Sequence, residues 1–260
     1  VKWLFIPNTK LNHNQYILVR VFIYSIILFI WSLSHSTLIP PIQKIIFSYQ
    51  SLVVQDKLFL EILTSSILFG KCLFWVILIS FISSYLSVIP IINPVVQLEA
   101  KFRAISIVGI QLFFTTIASD DYHLKIWIIG FFTTPWLITS MLDIIKNIPP
   151  EEYDHARTLR FPEWYVTWHV VIRGQFHLVM DAIIQVSLMI VVFLPVAEKI
   201  IKSDGGIGYL LTSLERFHDN TKIYAIDILL VILVSLLITI LKWIRDLFCP
   251  YAEKIEGVQK

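Results

Sequence analysis

The sequence predicts an all-α polytopic membrane protein with about six transmembrane helices and one long polar loop on the cytoplasmic side. Three observations carry that expectation. Of the 260 residues, 57% are hydrophobic and 15% charged, against about 25% charged in an ordinary soluble domain. The mean hydropathy is +0.75, and the Ile, Leu and Phe that raise it are spread along the whole chain, so a soluble domain with a single anchor is excluded. The apolar runs are continuous rather than alternating, which excludes barrel strands.

The elements follow in order. Residues 1–15 are mixed polar and are read as a cytoplasmic N-terminal segment; their apolar part is too short for a cleavable signal peptide. A helix needs about 20 apolar residues to cross a ~30 Å hydrocarbon core. Six runs approach that: Tyr16–Ser34, Ser66–Ile89, Ala104–Ala118, Leu124–Ile145, Phe176–Glu198 and Ile223–Leu247. They define a transmembrane domain over 16–247, followed by a cytoplasmic tail over 248–260. The third run is short, because about 15 residues rise only ~22 Å. It is expected to begin earlier, near Val95, or to lean on its neighbours. No internal repeat and no low-complexity tract is present.

Lys and Arg set the orientation. With both termini cytoplasmic, thirteen of the 21 fall inside and seven outside, and Lys71 lies near an outer span boundary. Residues 147–174 are then a cytoplasmic loop. The net charge of +2 and the absence of a basic tract longer than two residues argue against a nucleic-acid partner. Cys72 and Cys249 belong to separate spans and read as free thiols. No histidine pair has metal-site spacing, and no nucleophile, base or paired-carboxylate arrangement stands out; neither cofactor, metal nor catalytic residue is expected.

The polar loop is the most informative segment. Pro149-Pro150 stops the fourth run, and Glu151 and Glu152 follow at once. Proline in the first turn and acids near a helix N-terminus favour a new short helix. Leu159, Phe161, Trp164, Tyr165 and Trp168 add an apolar stripe, and Leu159–Phe161 and Trp164–Trp168 are expected to form two short helices hinged near Phe161-Pro162. Both ends of the loop are held at one membrane face. On physical grounds it is either an interfacial helix with its aromatics among lipid headgroups or a surface that docks a soluble protein.

These residues resemble a known family. Ile148-Pro149-Pro150-Glu151, Asp154-His155-Ala156-Arg157, Leu159-Arg160, Trp164 and His169-Val170-Val171-Ile172 are similar to the cytoplasmic loop of the permease subunit of bacterial binding-protein-dependent ATP-binding cassette importers, in the nitrate, sulfonate and taurine branch. Ala197-Glu198 and Gly206-Ile207-Gly208-Tyr209-Leu210-Leu211 match later motifs, and Leu38-Ile39-Pro40-Pro41 an earlier one, with spacing kept from about Leu38 to Tyr251. The family's Glu-Ala-Ala is replaced by Asp154-His155-Ala156, its loop glycine by Arg160, and its Leu-Pro by Ile172-Arg173. A left-handed conformation at that glycine would cost Arg160 about 1 kcal/mol.

The resemblance implies a multi-pass permease of the bacterial inner membrane. It implies cytoplasmic ATPase subunits, a second permease subunit (identical or related) and an external solute-binding protein as partners, besides membrane lipid. It implies a coupling helix within 154–160, with Glu151, Asp154, His155, Ala156, Leu159, Arg160 and Phe161 facing the ATPase and Ala156 allowing close approach. The chain has no Gly-x-x-x-x-Gly-Lys-Ser/Thr sequence, so ATP hydrolysis belongs to a partner.

Three further residues are candidates for the translocation path or a subunit interface. Asp181 and Gln185 lie four apart and share a helix face. An acid inside a span faces a protein interior or water, or snorkels from near the surface. Glu198 with Lys199 marks the outer end of that span or, by resemblance, a functional position. Gly205–Gly208 reads as a reentrant or turn segment at the outer face. A secondary transporter would show interrupted helices in repeated halves; a lipid-modifying enzyme would cluster His, Asp or Ser at one interface. The alternative of a divergent, non-transporting subunit keeps the same fold.

Overall fold

The long apolar runs fold as long helices, with no strand among the described residues. The structure, a computed structural model, describes residues 13–33, 40–118, 120–201 and 205–250. In chain order the helices are α1 (His13–Leu33), α2 (Ile42–Val54), α3 (Leu58–Leu86), α4 (Asn93–Lys101), α5 (Ile107–Ile117), α6 (Asp121–Lys146), α7 (Pro150–Thr158), α8 (Glu163–Val166), α9 (Phe176–Ile201), α10 (Ile207–Arg216) and α11 (Asn220–Phe248). A 3₁₀ turn at Phe102–Ala104 extends α4, and α8 continues as a π-helical segment, Thr167–Gly174. Leu38 and Ile39 of the early motif, and the tail from Tyr251, lie outside the described residues.

Four helices, α3, α6, α9 and α11, are long and apolar enough to cross a membrane. Among the described residues these four are the clear candidates, and the third run behaves differently. It does not make a straight span: α4 with its 3₁₀ turn and α5 form a pair bent by 113°, which gives five spans if the pair counts as one. The cause is compositional, since α4 carries Gln97, Glu99 and Lys101 and leaves α5 only 11 residues. The first run lies in α1, whose Gln15–Ile26 part is apolar. The second run extends back to Leu58 in α3, which places Lys71 midway along that helix.

The central helix is α6, with 56% of its most apolar window buried, against 11% for the peripheral α11. Its Ile129, Leu137 and Met141 pack against Leu68, Cys72 and Val76 of α3 and against Val179, Val186 and Ile190 of α9. Lipid is as apolar as leucine, so association rests on close packing, which small residues permit. Ser80, Ser84, Thr133 and Ser187 are accordingly buried where these helices meet, and the Ser80 hydroxyl donates to the Thr134 carbonyl at 3.4 Å. α2, α10 and the start of α11 form a second cluster through Ile45, Leu52, Ile207, Leu210, Ala225 and Ile226. Cys72 and Cys249 are buried, free thiols, as the sequence suggested.

Candidate functional site

The polar loop folds as a tight hairpin of two short elements. Pro150 opens α7, Glu151 and Glu152 occupy its first turn, and His155 and Arg157 its last, all in accord with the helix dipole. The helix ends at Thr158, so Leu159–Phe161 form the connecting turn rather than a helix, and the second element starts at Glu163. Arg160 sits in that turn at φ 57°, in the left-handed region, with its N–H donating to the Arg157 carbonyl at 2.8 Å. Across the turn, the Arg157 guanidinium donates two hydrogen bonds to the Glu163 carboxylate, at 3.0 and 3.2 Å. That pair holds the Glu163 carboxyl below the usual carboxylate range and raises Arg157.

One face of the hairpin is internal. Ala156 is buried against Ile148, Val166, Val170 and Val171, with Tyr153 and Tyr85 alongside. Its small side chain lets α7 close on the second element of the same chain. The outward face carries Glu151, Asp154 and His155, followed by exposed Leu159, Arg160 and Phe161. Phe161, Tyr165 and His169 form a row of ring contacts along the second element, edge-on and then tilted, with centroids 4.6 and 4.0 Å apart in succession. Trp164 and Trp168 stand exposed beside them.

The acids of the fifth run take separate places. Asp181 accepts from the Arg245 guanidinium at 2.6 Å, an ion pair that ties the start of α9 to the end of α11. Gln185, one turn on, is exposed. Glu198 is completely buried. Its two carboxylate oxygens accept from the Ser65 hydroxyl of α3 and from the Gly208 N–H, both at 2.7 Å. Ser65 in turn accepts from the Ile207 N–H at 2.9 Å, and the Glu61 carboxylate accepts from the Gly206 N–H. Three successive N–H groups at the start of α10 are therefore satisfied by side chains from two spanning helices, which replaces ordinary capping. Gly205 and Gly206 have φ of 122° and 105°, and a Cβ on Gly206 would collide with the Glu198 carboxylate. One on Gly208 would collide with the Pro195 carbonyl.

Sequence reasoning missed one feature. A cleft of 930 Å³ opens between α3, α4, α5 and α6, walled mainly by Trp75, Val95, Phe102, Trp127 and Phe131. Lys71, Glu99, Tyr122 and His123 also line it. The signal was present, since an ionisable residue within a span is a functional candidate by default, but Glu61 interrupts the run and made Lys71 look peripheral. Among the described residues no cluster of His, Cys, Asp and Glu could hold a metal ion.

A family model described as the binding-protein-dependent transport system inner membrane component matches residues 14–253. No curated protein matches the chain significantly.

Proposed function

The chain belongs to that family of inner membrane transport components, and on that premise we propose that it is the permease of an ATP-binding cassette importer of the bacterial inner membrane. It forms the translocation path and receives force from separate ATPase subunits. The observation that carries the reading is the hairpin at 147–174, a polar element pinned between two spans with Asp154 and His155 turned outward. Members of such a family work with ATPase and solute-binding partners.

The ATPase contact is Glu151, Asp154 and His155 on α7 with Leu159, Arg160 and Phe161 in the turn. Ala156 supports this surface from within by letting α7 lie close to Val166 and Val170. Both termini and the hairpin face the cytoplasm, in keeping with the excess of Lys and Arg there. A second permease subunit, identical or related, completes the path, and Gln185 and the Asp181–Arg245 pair lie toward that path or interface. Glu198 serves it by fixing α10. The solute is small and anionic or organic, of the nitrate, sulfonate or taurine kind, delivered by an external binding protein. Alternating access follows ATPase closure and travels through the hairpin into α6 and α9.

Purification of the intact assembly from native membranes, with identification of its subunits, tests the reading. An ATPase and a second permease subunit are expected to co-purify. Solute uptake driven by an ion gradient, with no ATPase bound, would contradict it.

A further inference from the structure

Two features meet at the 930 Å³ cleft. The first is a broken span. Val96 of α4 packs on Ile138 and Leu142 of α6, and Phe102 stacks on Phe131. The 113° bend after Ala104 therefore lies alongside the length of α6 that crosses the membrane. Non-helical backbone at that depth is tolerated only where it is buried in protein or lines a water-filled cavity, and the 3₁₀ turn that leads into the bend lines the cleft through Phe102. The second is a cation. Lys71 stands midway along α3 and lines the cleft. Its ammonium lies 4.7 Å from the centroid of the Tyr122 ring, in the first turn of α6. Among the described residues no carboxylate pairs with it.

Besides Tyr122, the other charged and titratable groups on the cleft are Glu99 and His123. Glu99 belongs to α4, whose Val96 meets the second half of α6, so it stands at the opposite end of the cleft from Lys71. His123 is already held by Asp120. Among the described residues lining the cleft, Lys71 is thus the charge without a carboxylate partner at the end bounded by the start of α6, facing an otherwise aromatic wall.

We infer that Lys71 collects a small anion at this mouth of the cleft and selects for anionic solutes. The inference rests on the reading of the chain as a permease with this cleft on its path. Tyr122 holds the ammonium in place through a cation–π contact, and the apolar walls concentrate its field on the water within. An anionic lipid headgroup has the same chemistry as an anionic solute, so the two sources must be separated by experiment.

Trp75 and Trp127 on the cleft wall report on it directly. The intact assembly is placed in phosphatidylcholine nanodiscs and its tryptophan fluorescence is quenched with iodide, an anion, and with neutral acrylamide. The contribution of the cleft is the difference from a Trp75→Phe, Trp127→Phe variant. In the unsubstituted protein iodide is expected to quench the cleft signal at about tenfold lower concentration than in Lys71→Gln, in line with electrostatic focusing. Lys71→Arg should restore the effect, and acrylamide should quench all three alike.

If acrylamide quenches the cleft signal but iodide treats Lys71→Gln and the unsubstituted protein alike, the anion assignment is wrong and the path reading stands. If acrylamide does not reach the cleft tryptophans at all, the cleft is not on a watery path and that reading falls with it. If phosphatidylglycerol in the nanodiscs abolishes the iodide preference, a lipid headgroup occupies Lys71, and the solute assignment is overturned.

Discussion

Replacing Glu198 should loosen the junction of α3, α9 and α10. Its carboxylate takes the Ser65 hydroxyl and the Gly208 N–H, both at 2.7 Å, in a site with no exposure. Glu198→Ala leaves both donors in place without acceptors, and each buried unsatisfied group costs about 1–3 kcal/mol. The two belong to one network and are not additive, so a loss of about 3 kcal/mol is the working figure. Glu198→Gln keeps the volume but presents an amide N–H₂ to one of the two donors, for about 1–2 kcal/mol. The protein carries its own reporters, because Cys72 and Cys249 are buried, free thiols. A thiol-reactive fluorogenic dye during a slow temperature ramp in detergent follows their exposure. Both variants should release Cys72, which shares the core with Ala197, at lower temperature than the unsubstituted protein, alanine more than glutamine. Identical ramps for all three proteins would refute the view that this carboxylate secures α10.

Other changes should have smaller and distinct effects. Arg160→Gly removes a non-glycine residue from φ 57°. It should slow hydrogen exchange in the α7–α8 turn by up to about fivefold, equivalent to ~1 kcal/mol, while Arg160→Val should accelerate it. Asp181→Leu removes the carboxylate that ties Arg245 to α9, leaving Asp246 at 3.1 Å as a partner on its own helix, and should weaken assembly by about 1 kcal/mol; exchanging the charges of Asp181 and Arg245 should restore part of it, as read by size-exclusion yield. The hairpin should also respond to acid. Glu163 is held below its ordinary 4.5 by hydrogen bonding to Arg157, so the pair stabilises the fold above that value and is lost as pH falls through the lowered one. The protection of the 157–163 amides, taken relative to their intrinsic exchange at each pH, should therefore be flat from neutrality to about pH 5 and fall below it, with Glu163→Gln abolishing the step.

Much of the architecture was legible because hydrophobic length is a direct physical signal. Four of the six runs became the spans α3, α6, α9 and α11. The short α7 was legible too, since Pro149-Pro150 and two acids at its start leave little choice. The broken third run was foreshadowed by its length, but its direction depends on where α4 can pack, and only the fold shows Val96 seated on α6. Arg160 was flagged by the glycine it replaces, and the turn adopts the left-handed conformation that makes the replacement costly. The partners of Glu198 and Asp181 were not legible, because Ser65 and Arg245 lie far away in sequence and meet them only when α3, α9 and α11 assemble. Ala156 shows the same limit in reverse: its size was visible, but not that its close neighbour is Val166 of its own chain.

Coupling through α7 is the central claim, and the exposed side chains of that helix test it most directly. Asp154→Lys and His155→Glu each reverse or add charge on the outward face without touching the packed one. The measurement is co-purification of the ATPase with each variant, alongside ATP-driven solute uptake by the same preparations in proteoliposomes. A contact of interface hot-spot size carries about 2 kcal/mol or more, so ATPase occupancy should fall by at least about tenfold and uptake with it, while the thiol-dye ramp stays unchanged. Full occupancy and normal uptake in both variants would contradict the account and place the outward face of α7 against lipid or solvent instead.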